Sequence, residues 1–290
     1  MTRISIRKFQ LIKVFMHLLP WPKKEINLKL KIQGGLLSLL FLSPLTHSAP
    51  LKIAILDTGF CSESLSFPKN IKIHPSVDLT RSNNFKCNDL KETDRRLHGN
   101  WVLKQFLSTL KVKEEVEVFP LIIFDRNAHQ QIDSWKKAFT NQENYHLYII
   151  AAGMRRTKEL ASIEIKTPLF VAGATIGRGI GYKTLLWPQN QYKNPNVFTV
   201  GNFSKANKDL PARPDYTLIN STQMKYFFSG GGDSDFFKGT SRATATAAAR
   251  AINLCYSKFL KKNGIQTCLK ENSKEVEIFN DKEKIKILTL

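Results

Sequence analysis

The chain has 290 residues, 42% of them hydrophobic, enough for one sizeable core and not obviously for two. Fifteen glycines and twelve prolines are ordinary at that length, so composition gives no sign of low complexity or disorder. The net charge is +20, but eight of the 44 basic and one of the 24 acidic groups lie in residues 1–48, leaving +13 on the remainder. Those charges are scattered, with no dense basic run and no aromatic ladder beside one. The clustered footprint of a nucleic-acid partner is missing, and no such partner is expected.

Lys29 and Lys31 precede the apolar run from Gly34 to Leu45, and small residues Ser48 and Ala49 follow. A basic stretch, a short apolar run and a cleavage zone read as a secretory signal over residues 1–48, so export to a periplasmic or extracellular space is expected. The run is too short to span a bilayer comfortably, so no stable membrane span is expected in the mature chain. A buried apolar segment or a membrane-surface anchor is the alternative. Four cysteines, Cys61, Cys87, Cys255 and Cys268, are an even number that fits an oxidising compartment. Cys61 with Cys87 and Cys255 with Cys268 are the short-loop pairings among three connectivities; four free thiols are the competing reading.

Beyond residue 50, short apolar runs alternate with amphipathic stretches. Lys52 to Leu56 predicts a buried strand ended by Asp57-Thr58-Gly59, and His98 to Leu110 predicts a helix. Val116 to Phe124 is a second strand, and Gln130 to Thr140 a helix with Ile132, Trp135 and Phe139 on one face. Leu147 to Ala152, Leu169 to Ala172 and Asn196 to Val200 are further continuous apolar strands, as in sheets covered on both faces. Ala243 to Leu254, rich in alanine, predicts a buried helix beginning near Thr240. Lys284 to Ile287 alternates like an exposed edge strand guarded by lysines. The alternation as a whole predicts an α/β fold: a doubly wound, mostly parallel sheet flanked by helices.

Three positions carry candidate chemistry. Asp57 ends the first strand, and ligand sites in open α/β sheets lie outside the carboxyl ends of strands. His98, followed by Gly99, opens a helix and is the one histidine of six at a glycine-marked helix start. Ser241, after Gly239-Thr240, opens the small-residue helix, where free N–H groups and the positive dipole end favour an oxyanion. Acid, base and nucleophile in that order form one of the known chain orders of a hydrolytic triad. Taken singly, Asp57 reads equally as an Asx turn, His98 as a surface histidine and Ser241 as a helix cap. The Asp-Thr-Gly string also marks aspartic proteases, but those need two such aspartates and an all-β build.

Ile55-Leu56-Asp57-Thr58-Gly59, Leu97-His98-Gly99 and Gly239-Thr240-Ser241-Arg242-Ala243-Thr244 together resemble the Asp, His and Ser boxes of the subtilisin-like serine proteases, the subtilases. Coverage is roughly residues 51–256. The resemblance implies a catalytic domain over residues 49–290 and a serine endopeptidase in which Asp57 orients, His98 transfers protons and Ser241 attacks. It further implies a protein or peptide substrate lying along Ala151, Ala152 and Gly153, with Val171, Ala172 and Gly173 beside the primary pocket. No cofactor is required; structural calcium occurs in such proteins, but no carboxylate cluster calls for it. The sequence departs from the pattern at three places. Ala174 stands where the family's oxyanion asparagine follows Ala172-Gly173, leaving the hydroxyl of Thr175 as the substitute; Ala245 replaces a proline; and bulky Trp101 follows the His box. Ala174 supports an alternative, a catalytically impaired binding protein on the same scaffold.

Overall fold

The computed structural model describes residues 49–82, 87, 90–91, 93–173, 186–204, 213–214, 224–230, 237–280 and 283–290. The export signal expected over 1–48 lies outside them.

Strand β1 (Leu51–Asp57) is an interior strand of the sheet, and its residues face apolar layers on both sides. Leu51, Ile53 and Ile55 point into one core, and Ala54 and Leu56 into the other. Such a strand reads as an unbroken apolar run. On one side β1 pairs in parallel with β4 (Val116–Ile122), and on the other with β5 (Leu147–Ile150). Beyond β4 lie the short strands β2 (Ile71–Ile73) and β3 (Val77–Asp78); beyond β5 come β6 (Leu169–Ala172) and β7 (Val197–Ser204). Strands β8 (Arg213–Pro214) and β9 (Tyr226–Ser229) both pair with β7, and β8 is antiparallel where the other pairings of this sheet are parallel. The fold is therefore an α/β, mostly parallel sheet flanked by helices.

One face is covered by α1 (His98–Thr109) and α4 (Thr240–Leu260) with α5 (Ile265–Glu271), the other by α2 (Ile132–Thr140) and α3 (Lys158–Ala161). Helix α4 passes under the sheet's centre, and Ala243, Ala245, Ala247, Ala248, Ala249 and Ala251 are all fully buried. Alanine permits that close approach while keeping helix propensity high. A non-helical Cys255 kinks α4, and its disulfide to Cys268 staples the helix end to α5. The second disulfide, Cys61–Cys87, ties the loop after β1 to the segment ahead of α1. Of the connectivities open to the sequence, both short-loop pairs are thus the ones formed.

Strand β11 (Glu283–Thr289) contains the lysine-guarded run, and it pairs antiparallel with β10 (Lys274–Asn280) in a separate hairpin rather than at an edge of the main sheet. No helix among the described residues is long and apolar enough to cross a membrane.

Candidate active site

The carboxyl end of β1 delivers Asp57, whose side chain is 1% exposed. Its Oδ1 accepts from the Thr58 N–H at 2.7 Å and lies 2.8 Å from His98 Nδ1. The Asx turn and the acid–base pair are thus made by one oxygen. A carboxylate oxygen accepts, so Nδ1 carries the proton and Nε2 presents the lone pair.

His98 is brought to Asp57 by short connections. Thr58 Oγ1 donates to the Arg96 carbonyl at 3.1 Å and accepts from the Gly99 N–H at 3.2 Å. Gly99 admits this approach: a Cβ there would sit 2.8 Å from Asp57 Cβ and 2.8 Å from the Gly59 carbonyl oxygen. Ahead of the helix, Asp94 accepts from Arg96 through Nε, Nη2 and the backbone N–H, at 3.0, 2.7 and 2.9 Å. The Arg96 guanidinium holds the Asp94 carboxyl below its ordinary value. Around the imidazole, the rings of Trp101 and Phe237 stand edge-on with centroids at 6.0 and 5.7 Å, leaving His98 26% exposed.

Ser241 lies in the first turn of α4, after Gly239 in a left-handed-side conformation (φ 83°). Its hydroxyl donates to the Ala151 carbonyl at the end of β5, at 3.2 Å. Helices α1 and α4 run side by side with their starts at the same end. Gln105 Nε2 donates to Thr246 Oγ1, Asn253 Nδ2 to the Thr109 carbonyl, and the Lys111 N–H to Asn253 Oδ1, across sequence separations of 141, 144 and 142 residues. His98 and Ser241, separated by 241 − 98 = 143, fall in the same register. Base and nucleophile thus each lie at the start of one of two parallel helices, at the end of the sheet where β1 delivers Asp57 and β5 delivers Ala151.

The remaining predicted residues divide. Ala151, Ala152 and Gly153 continue β5 past its last paired residue, and the latter two are half-buried. Their carbonyls are engaged from within: Gln189 Nε2 donates to Ala152 and Gln130 Nε2 to Gly153, at 3.1 and 2.6 Å. Val171 is interior, fully buried and paired with Ile150 on one side and Thr199 on the other. Ala172 pairs with Val200, and the Gly173 N–H donates to the Val200 carbonyl at 2.8 Å. Ala174 and Thr175 lie outside the described residues. Among the described residues, no group of three or more His, Cys, Asp or Glu side chains could hold a metal ion.

Sequence reasoning missed Phe237, Gln130 and Gln189. Phe237 had a signal, an aromatic residue just ahead of the glycine-marked helix start. The two glutamines had none, since they act on carbonyls remote in the chain.

A chain in a solved structure concerned with subtilase cytotoxin SubAB assembly is similar to this one, with a TM-score of 0.55 and 14% identity, over 79% of this chain and 83% of that one. No protein-family model matches this chain, and no curated protein sequence matches it. The resemblance to the subtilisin-like serine proteases is corrected by these findings. Three short strings match, but no family model does, and at 14% identity the likeness to the cytotoxin chain is one of fold alone. The physical reason is that each string is also local grammar: a strand ended by an Asx turn, a glycine admitting a tight helix start, and a small-residue helix cap.

Proposed function

We propose that the protein is a serine-type hydrolase that cleaves peptide bonds through Asp57, His98 and Ser241, in an exported setting. The observation that carries this is the Asp57–His98 pair, bonded at 2.8 Å at the start of α1, with Ser241 in the first turn of the neighbouring parallel helix α4. A subtilisin-like arrangement of the sheet is part of the proposal as an architecture, without family membership. The two disulfides support an oxidising compartment.

In the reaction, Ser241 Oγ attacks the acyl carbon while its proton passes to His98 Nε2, and Asp57 stabilises the imidazolium that forms. The oxyanion develops beside the first backbone N–H groups of α4, whose dipole favours it. His98 then gives the proton to the leaving amine as the C–N bond breaks. Water reverses these steps to free the acyl group. The Ser241 hydroxyl starts from the Ala151 carbonyl, so it must leave that acceptor by rotation about χ1 to give its proton to His98.

A fluorophosphonate probe tests this directly. Folded wild-type protein is expected to be labelled at Ser241, and Ser241→Ala to lose the label. Folded protein that takes up no label would instead be a binding protein, and the hydrolase reading would fall.

A further inference from the structure

We infer that Gln189 is a specificity-determining residue that closes the acyl side of the site, restricting it to acyl groups whose side chain is no larger than that of glycine or alanine. This rests on the hydrolase reading of Ser241. His98 must hand its proton to the leaving group, so the leaving group lies on the β1 side of Ser241. The acyl portion then lies on the opposite side. In the order β4-β1-β5-β6 that direction leads across the end of β5 to β6.

The pairing of β5 with β6 stops at Ile150↔Val171, and beyond it the two chains part. Crevices outside the carboxyl ends of parallel strands are where open α/β sheets receive ligands. Among the described residues, the side chain that bridges this opening is that of Gln189. Gln189 follows Trp187-Pro188 and is 1% exposed; its Nε2 donates to the Ala172 carbonyl at 2.7 Å and the Ala152 carbonyl at 3.1 Å, bridging the two chain ends. Two acceptors facing the nitrogen fix the orientation of the carboxamide. Even a methyl on the neighbouring backbone is excluded, since a Cβ on Gly153 would lie 2.5 Å from Nε2 and 2.7 Å from Oε1.

Oε1 is buried with no hydrogen-bond partner. An orphaned buried acceptor is costly to keep, so hydrogen bonding accounts for only one end of this carboxamide. What it achieves in that position is to fill the space between Ala152, Gly153 and Ala172, one residue beyond Ala151, whose carbonyl accepts from the Ser241 hydroxyl. The sequence resemblance implies the reverse, because small residues over Ala151-Ala152-Gly153 and Val171-Ala172-Gly173 would leave space for a large side chain.

The test compares N-acetylated glycine, alanine and phenylalanine p-nitrophenyl esters as acyl donors to wild-type protein, Gln189→Ala and Gln189→Ser. Wild type is expected to prefer the glycine or alanine ester over the phenylalanine ester by about tenfold or more in kcat/KM, the scale on which pocket size discriminates. In either variant the ratio of phenylalanine to alanine ester should rise by about tenfold. Wild type that takes the phenylalanine ester as readily as the alanine one overturns the inference, whether or not the variants fold. So do folded variants with an unchanged ratio. Folded wild type that turns over none of the esters and takes up no fluorophosphonate overturns the hydrolase reading, and this inference with it.

Discussion

Asp57 Oδ1 serves two donors, the Thr58 N–H and His98 Nδ1, while Oδ2 is buried without a hydrogen-bond partner. An asparagine at this position keeps an oxygen for both donors but loses the charge that steadies the imidazolium in the transition state. Interactions made only in the transition state appear in kcat and leave KM nearly unchanged. Asp57→Asn is therefore expected to lower kcat on the order of 10³–10⁴-fold with little change in KM. Steady-state kinetics on protein of unchanged circular dichroism checks this. A loss confined to KM would show that Asp57 shapes the site rather than acting on the histidine.

At the scale of elements, the contact between β1 and α1 decides whether the acid and base meet. The position of a Cβ on residue 99 coincides with rigid backbone, the Gly59 carbonyl oxygen, as well as with Asp57 Cβ. Gly99→Ala must push the start of α1 away from β1, and overpacking of this kind costs about 1–3 kcal/mol. Labelling at Ser241 should slow while the melting temperature falls only modestly, because most of α1 packs further along through Val102, Leu103 and Phe106. Equal melting and equal labelling would mean that the helix start is not held this tightly. This contact was legible in the sequence, since His98-Gly99 and Asp57-Thr58-Gly59 each announce a tight local geometry. The apolar run of β1 and the alanines of α4 were legible for the same reason, being continuous signals over many residues. Gln189 was not: its partners Ala152 and Ala172 lie 37 and 17 residues away, and only the assembled sheet brings them together. The docking of β11 against β10 instead of the main sheet was also hidden, because an alternating strand does not name its partner.

Over the whole molecule, the parallel sheet separates the candidate chemistry from a histidine that burial holds well below its ordinary pKa. The candidate triad sits at the carboxyl ends of the strands. At the opposite end His146, just before β5, accepts the Lys52 N–H through Nδ1 at 2.9 Å and donates its own N–H to the Lys52 carbonyl at 2.8 Å. Lys52 and Asp57 are five residues apart on β1, about 16 Å at about 3.3 Å per residue. Burial first, then the positive charges of Lys262 and Lys52, hold His146 at about 4 instead of the ordinary 6.5. Between those values the unfolded chain binds a proton that the folded chain refuses. Stability from this group is thus complete above the unfolded value and is lost as pH falls from 6.5 toward about 4. Asp94 and Asp125, held below the ordinary carboxylate value of 3.8, add a further loss at lower pH, where the unfolded carboxylates protonate first. Glutamine can accept the Lys52 N–H but cannot titrate, so His146→Gln should flatten the melting temperature between pH 6.5 and 4 and leave the loss below that window in place. The same variant should keep the wild-type rate of Ser241 labelling at neutral pH, since nothing at the amino end of β5 reaches the nucleophile. Parallel melting curves for the two proteins across that window would show that acid sensitivity arises elsewhere in the sheet.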